Sequence, residues 1–197
     1  MAERRAGDVF LNIPFASTHE FIYIALIAGL AGLRLNPRCI LEIPPQQNRL
    51  QRLFELIGGC AYSIHDLSFV RLSSGTGPRV PRFNMPFELG IAVAIALAEQ
   101  EGDQHQFRIF EAKPYRLQKS LSDVLGHDPY IHDGRAEGVL EALLNVFSSL
   151  PDSPEPAELR RLYKQLRRFR KDKLGADIFQ PKAFSKLVAT GRALAGS

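Results

Sequence analysis

At 197 residues, with 45% hydrophobic and 23% charged side chains, the chain suits one ordinary domain with an appendage and is too apolar to be disordered. Its net charge of +4 is unevenly spread. Lys and Arg number 14 against 16 Asp and Glu over residues 1–150, and 11 against 5 over residues 151–197, so the body is close to neutral and is not built throughout to bind nucleic acid.

"DVFLN" (8–12) is a short β-rich run, followed by the loop "IPFAST" and an apolar helix from about His19 to Leu33, with Ser17 or Thr18 as its expected cap. The stretch "FIYIALIAGLAGL" (21–33) falls short of the roughly 20 residues a membrane span needs. The start "MAERRAGDVF" leads into a strand rather than a signal-peptide core, so a soluble, cytoplasmic protein is expected. "RCILEI" (38–43) reads as a second strand, closed by Pro44 and Pro45. "QNRLQRLFELIGGC" carries Leu50, Leu53, Phe54 and Ile57 at helical spacing and stops at Gly58 and Gly59. "AYSIHDLS" (61–68) is a third strand. The irregular "FVRLSSGTGPRVPRFN" then precedes a helix containing Glu88, and "FRIFEA" (107–112) is a fourth strand.

Alternation of strand and helix through residues 8–112 predicts an α/β fold with a short parallel sheet, flanking crossover helices, and "DVFLN" and "AYSIHDLS" as neighbouring inner strands. Beyond it the chain reads as helical over about 115–125, 135–149, 157–174 and 181–194. "PDSPEP" (151–156) is the candidate linker between a body (1–150) and a helical C-terminal extension (151–197). Cys39 and Cys60 lack CxxC spacing, and the five histidines form no HExxH or Cys/His cluster, so buried thiols and no structural metal are expected.

In open α/β sheets, ligands bind beyond the carboxyl ends of the strands. "NIPFAST", "HDLS" and "RFNMPFE" all reach that edge, which makes Asn12, Pro14, Phe15, Ser17, His65, Ser68, Arg82, Asn84 and Met85 candidate substrate-binding residues. Neither GxGxxG nor GxxxxGK[ST] occurs at these loops, so hydride transfer and P-loop hydrolysis lose their usual support. Asn12, Ser17 and Thr18 could bond a sugar or phosphate, or simply shape a proline turn and a helix cap. Of the adjacent His65 and Asp66 only one can face a given side, and Asp66 is the choice for the cleft. Its ordinary alternative is to cap a turn or to pair with Arg71, Arg79 or Arg82.

Glu88 reads as lying in the first turn of its helix, with Pro86 near the first helical position. A carboxylate there gains roughly 0.3–1 kcal/mol from the helix dipole alone. The following "LGIAVAIALA" is nonetheless too apolar to be exposed, which directs Glu88 to the cleft edge, ionised and able to act as nucleophile or cation stabiliser.

A strand ending in an acidic residue, a variable loop and "FELGIAVAIA" together resemble the nucleoside 2-deoxyribosyltransferase-like group, and "DVFLNIPF" is similar both to the opening of that group and to that of TIR domains. The likeness covers about residues 8–112. It implies a flavodoxin-like or TIR-like sheet, with Glu88 acting at a ribosyl anomeric carbon. Asp66 would assist the leaving base, and a nucleoside, nucleotide or NAD would be substrate, with NAD serving as no cofactor. Breaking an N-glycosidic bond develops positive charge at that carbon, which a carboxylate stabilises. Arg82 would meet a phosphate. The first loop departs from the transferase pattern in lacking its tyrosine and glycine, and the loop before Glu88 carries arginines and prolines.

In "AELRRLYKQLRRFRKDKL", Leu159, Leu162, Tyr163, Leu166 and Phe169 form an apolar stripe ringed by Arg160, Arg161, Lys164, Arg167, Arg168 and Lys171. The stripe is expected to pack on the body with the charges solvated, while a partner or nucleic acid on the basic face is the rarer arrangement. Two other functions stay open: a nucleotide-sensing module using the same cleft without turnover, and an interaction protein acting through this helix. Homo-oligomerisation is likewise open.

Overall fold

The computed structural model describes residues 5–44, 48–69, 83–99, 104–124, 126–175 and 177–196. Five strands form one parallel sheet: β1 (Arg5–Asn12), β2 (Asn36–Cys39), β3 (Cys60–Asp66), β4 (Gln106–Glu111) and β5 (Tyr130–Ile131), in the order β2-β1-β3-β4-β5. The parallel α/β reading holds, and β1 and β3 are the expected inner neighbours, with Asn12 beside His65 in register. The chain leaves β1 toward β2 on one side and β3 on the other, so the β1/β3 boundary is the topological switch point where such sheets open a crevice.

Helices α2 (Arg49–Gly58) and α3 (Asn84–Leu97) cover one face, joined by the short α4 (Arg116–Ser120). Helices α1 (Glu20–Gly32) and α5 (Ala136–Val146) cover the other. Outside α1 lie α6 (Pro156–Lys173) and α7 (Pro181–Ala195), both packed against it. Every residue of α1 from Ile22 to Ala31 is buried, which is why its sequence is apolar all round. Sheet and α5 take part of its surface; α6 and α7 take the rest. Leu159, Leu162, Tyr163 and Leu166 of α6 are buried in that main core, with Phe169 partly buried beside them. Gly32 permits this approach, because a Cβ there would strike the side chain of Leu159. No helix among the described residues is long and apolar enough to cross a membrane.

Several local expectations are corrected. The expected strand 38–43 stops at Cys39, because the Glu42 carboxylate accepts the Cys39 N–H at 2.9 Å and folds Ile40–Glu42 into a 3-10 turn. Neither Ser17 nor Thr18 caps α1: Ser17–His19 forms its own 3-10 turn, and the cap position falls to His19 without a side-chain bond. The helix expected over 115–125 is only five residues long, and β5 follows it. Helix α3 begins at Asn84, which makes Glu88 its fifth residue and leaves no acidic side chain in the first turn. Pro86 is then the third helical residue, where a missing N–H still costs no intrahelical bond.

Candidate functional site

Side chains alternate along each strand, and this sorts the polar residues at the carboxyl edge onto two faces. Phe10 packs with α2 and α3, so Asn12, two residues on, shares that face; Val9 and Leu11 face α1. On β3, Ser63 and His65 share the α3 side with Asn12, whereas Ile64 lies in the α1 core and Asp66 follows it onto that side.

The α3 side holds a continuous buried hydrogen-bond chain. The Asn12 amide donates to the carbonyl oxygen of Met85 in the first turn of α3 and to Nδ1 of His65, each at 2.8 Å. Because that amide group can only donate, Nδ1 must accept, which assigns the ring proton to Nε2. Nε2 then donates to the Ser63 hydroxyl at 2.8 Å, Ser63 donates to Nε2 of His105 at 2.7 Å, and Nδ1 of His105 donates to the carbonyl of Cys60 at 2.9 Å. Burial, with His105 as a lesser cause, pushes His65 down to about 3, so it is a neutral ring at physiological pH. His65 is thus held as a neutral ring between Asn12 and Ser63.

Glu88 lies one turn beyond Met85 and is buried, at 7% exposure. Burial raises the Cys39 thiol, at the end of β2, above its usual range, with the Glu42 carboxylate and, least, that of Glu88 adding to the rise. Burial likewise raises Tyr23, with Cys39 contributing, and the Tyr23 hydroxyl has no hydrogen-bond partner. Asn12 Oδ1 is also buried and unpartnered. Asn12 and Cys39 end β1 and β2, and Glu88 and Tyr23 are buried on the flanking helices α3 and α1.

The other side of the same edge carries a second polar group. Asp66 Oδ1 accepts the Ser68 N–H at 2.8 Å, the turn-capping contact that was its ordinary alternative. Nε2 of His132 lies 3.6 Å from that oxygen, and Nδ1 of His132 accepts the Gly134 N–H at 3.1 Å. Glu111 sits beside Arg116 at 3.4 Å, and burial raises its carboxyl above the usual range. Arg116 also donates to the carbonyls of Leu67 and Ser68. Asp66 Oδ2, His132 Nε2 and Ser68 Oγ are buried without hydrogen-bond partners, a concentration of unused bonding capacity that folded proteins usually avoid.

Of the sequence candidates, Asn12, His65 and Met85 are brought into direct contact, and Ser68 joins Asp66. Asp66 lies on the α1 face of β3, at the carboxyl edge, and His65 on the face that α3 covers. Pro14 is buried, and Phe15 is half-buried against Tyr23 and Phe179, with ring centroids 6.3 and 5.5 Å away. Ser17 and Asn84 are exposed. Arg82, with Arg71 and Arg79, lies outside the described residues. Sequence reasoning missed Ser63, His105 and His132. Polar residues two apart in an otherwise apolar strand were a usable signal for Ser63; nothing local pointed to His132. Among the described residues, no group of three or more His, Cys, Asp or Glu side chains is arranged to hold a metal ion.

Over 62 residues, 32% of this chain, the sequence is 37% identical to a uracil-DNA glycosylase of Lactobacillus helveticus (strain DPC 4571). The match spans 23% of that protein's length. No family model and no solved structure matches the chain.

Proposed function

We propose that the chain cleaves, or transfers across, an N-glycosidic bond at the β1/β3 crevice, with Glu88 stabilising or capturing the cationic anomeric carbon. The observation that carries this is a buried carboxylate one turn into α3, at the switch-point edge, whose helix start is fixed by the Asn12–Met85 bond. Such a carboxylate is pre-oriented, and in a site of low polarity its effect on developing positive charge exceeds what water would allow. The resemblance of "FELGIAVAIA" to the deoxyribosyltransferase-like group supports a ribosyl substrate. The partial likeness to a uracil-DNA glycosylase supports a base as leaving group. Asp66, with His132 beside it, is the candidate for proton delivery to the departing base. A mass-spectrometric screen of the purified protein against nucleosides, nucleotides and NAD tests the reading: a released free base supports it, and intact substrates throughout overturn it.

The unpartnered Oδ1 of Asn12 favours one second reading, in which the same crevice binds a nucleotide as a sensor. Saturable binding without base release would select it.

A further inference from the structure

Helix α6 carries a buried apolar stripe and an exposed basic row. Leu159, Leu162, Tyr163 and Leu166 are buried on one side. Arg160, Lys164, Arg167 and Lys171 recur at intervals of four, three and four, which places them in a single exposed row beside that stripe. Over those twelve residues, eleven steps of 1.5 Å, the row is about 16 Å long. Asp172 lies within 3.7 Å of Arg168, and among the described residues no carboxylate pairs with Lys164, Arg167 or Lys171. Mutual repulsion among aligned cations is unfavourable unless something anionic shares the face.

The row is not remote from the candidate site. Arg170 forms a two-pronged ion pair with Glu20, the first residue of α1, at 2.7 and 2.8 Å. This neutralises the single carboxylate lining an open groove whose other walls are Lys164, Arg167, Arg168, Arg170 and Lys171. Glu20 follows the loop after Asn12 and its 3-10 turn, so the Glu20 end of the groove lies toward the carboxyl edge of the sheet. Phe179, just beyond α6, lies against Phe15 of that loop, and His19 lies 4.1 Å from Phe69 of the loop after β3. Cations in a row leading to half-buried aromatic rings are the arrangement that holds a nucleic-acid strand, with phosphates on the cations and bases on the rings.

We infer that the basic row of α6 is a docking surface for the sugar–phosphate backbone of a single nucleic-acid strand, delivering one of its nucleosides to the Glu88 edge. This rests on the glycosidic reading for its substrate and narrows it from free nucleosides to a nucleoside within a polymer. A single strand is the form that fits, because a base stacked in a duplex cannot present its glycosidic bond to a buried carboxylate without leaving the stack.

The test is fluorescence anisotropy with a labelled single-stranded DNA 20-mer of mixed sequence. Four phosphate contacts predict a slope of about −3 in log K against log salt, or roughly fiftyfold weaker binding at 200 mM than at 50 mM salt. The triple variant Lys164→Glu, Arg167→Glu, Lys171→Glu, checked for an unchanged circular dichroism spectrum, should bind at least tenfold more weakly and with a shallower slope. Equal affinity in the triple variant, no binding at 50 mM salt, or capture by phosphatidylserine vesicles but not by the oligonucleotide would each overturn the inference. Oligonucleotide binding abolished by the triple variant, with no base released from any substrate, would support the docking surface while defeating the glycosidic reading. Base release from free nucleosides with no oligonucleotide binding would do the reverse.

Discussion

Asn12 ties the end of β1 to the start of α3: its amide donates to the Met85 carbonyl at 2.8 Å, one helical turn before Glu88. The same amide holds Nδ1 of His65 at 2.8 Å, so one side chain fixes both the helix that carries the carboxylate and the strand beside it. Asn12→Ala should lower stability by about 1–3 kcal/mol, since it strands the buried His65 Nδ1 and removes a bond from the Met85 carbonyl. Asn12→Asp should cost more, because an acceptor would then face the Met85 carbonyl. Urea unfolding of the two variants checks the order, and an Asp variant as stable as wild type would contradict it.

The depressed pKa of His65 makes stability fall with acid. Its folded value of about 3 lies below the unfolded value of about 6.5, so between these limits the unfolded chain binds the extra proton. The contribution is present in full above about pH 6.5 and is lost as pH falls toward 3, a change on the order of a few kcal/mol. His65→Gln, which keeps one donor and one acceptor but does not titrate, should flatten the dependence between pH 7 and 5. An equal slope in both proteins, measured by urea midpoints, would remove His65 as the cause.

Gly138 sets the distance between α5 and the turn that holds His132. A Cβ at this position would collide with the carbonyl of His132, a backbone group that cannot rotate away. Gly138→Ala should therefore destabilise by about 1–3 kcal/mol and displace His132 from Asp66. If Asp66 and His132 deliver a proton, this variant should lose turnover more than substrate affinity. Full stability in Gly138→Ala would mean that the contact relaxes freely.

Deleting residues 157–197 uncovers the outer face of α1 as well as removing the α6 stripe. Aggregation or strong dye binding is expected, because an all-apolar helix would then meet water. The milder Leu166→Ala should cost about 2–5 kcal/mol. Soluble, monodisperse protein after the deletion would show that the body does not need its second helical layer.

The sequence was most informative where burial imposes a repeated pattern. Apolar runs between helical segments announced the parallel sheet, and the apolar run 21–33 announced the helix α1, which the structure covers on every side. It was least informative where a single side chain decides. Strand β5 is Tyr130 and Ile131 alone, too short to carry a period. Glu42 shortens β2 through one bond to Cys39. Asn12 reads as no more than the end of a strand, and only the assembled sheet brings Met85 and His65 to its amide. The His65–Asp66 choice depended on which face α3 covers, a property of the whole sheet rather than of the strand.

The most direct measurement is base release by Glu88→Gln beside the unmutated protein, on whichever substrate the screen identifies. The amide preserves shape but not charge, so binding and fold should persist while turnover falls by a hundredfold or more, about the 3 kcal/mol that one electrostatic catalytic group supplies. Turnover equal to that of the unmutated protein would contradict the catalytic role of Glu88.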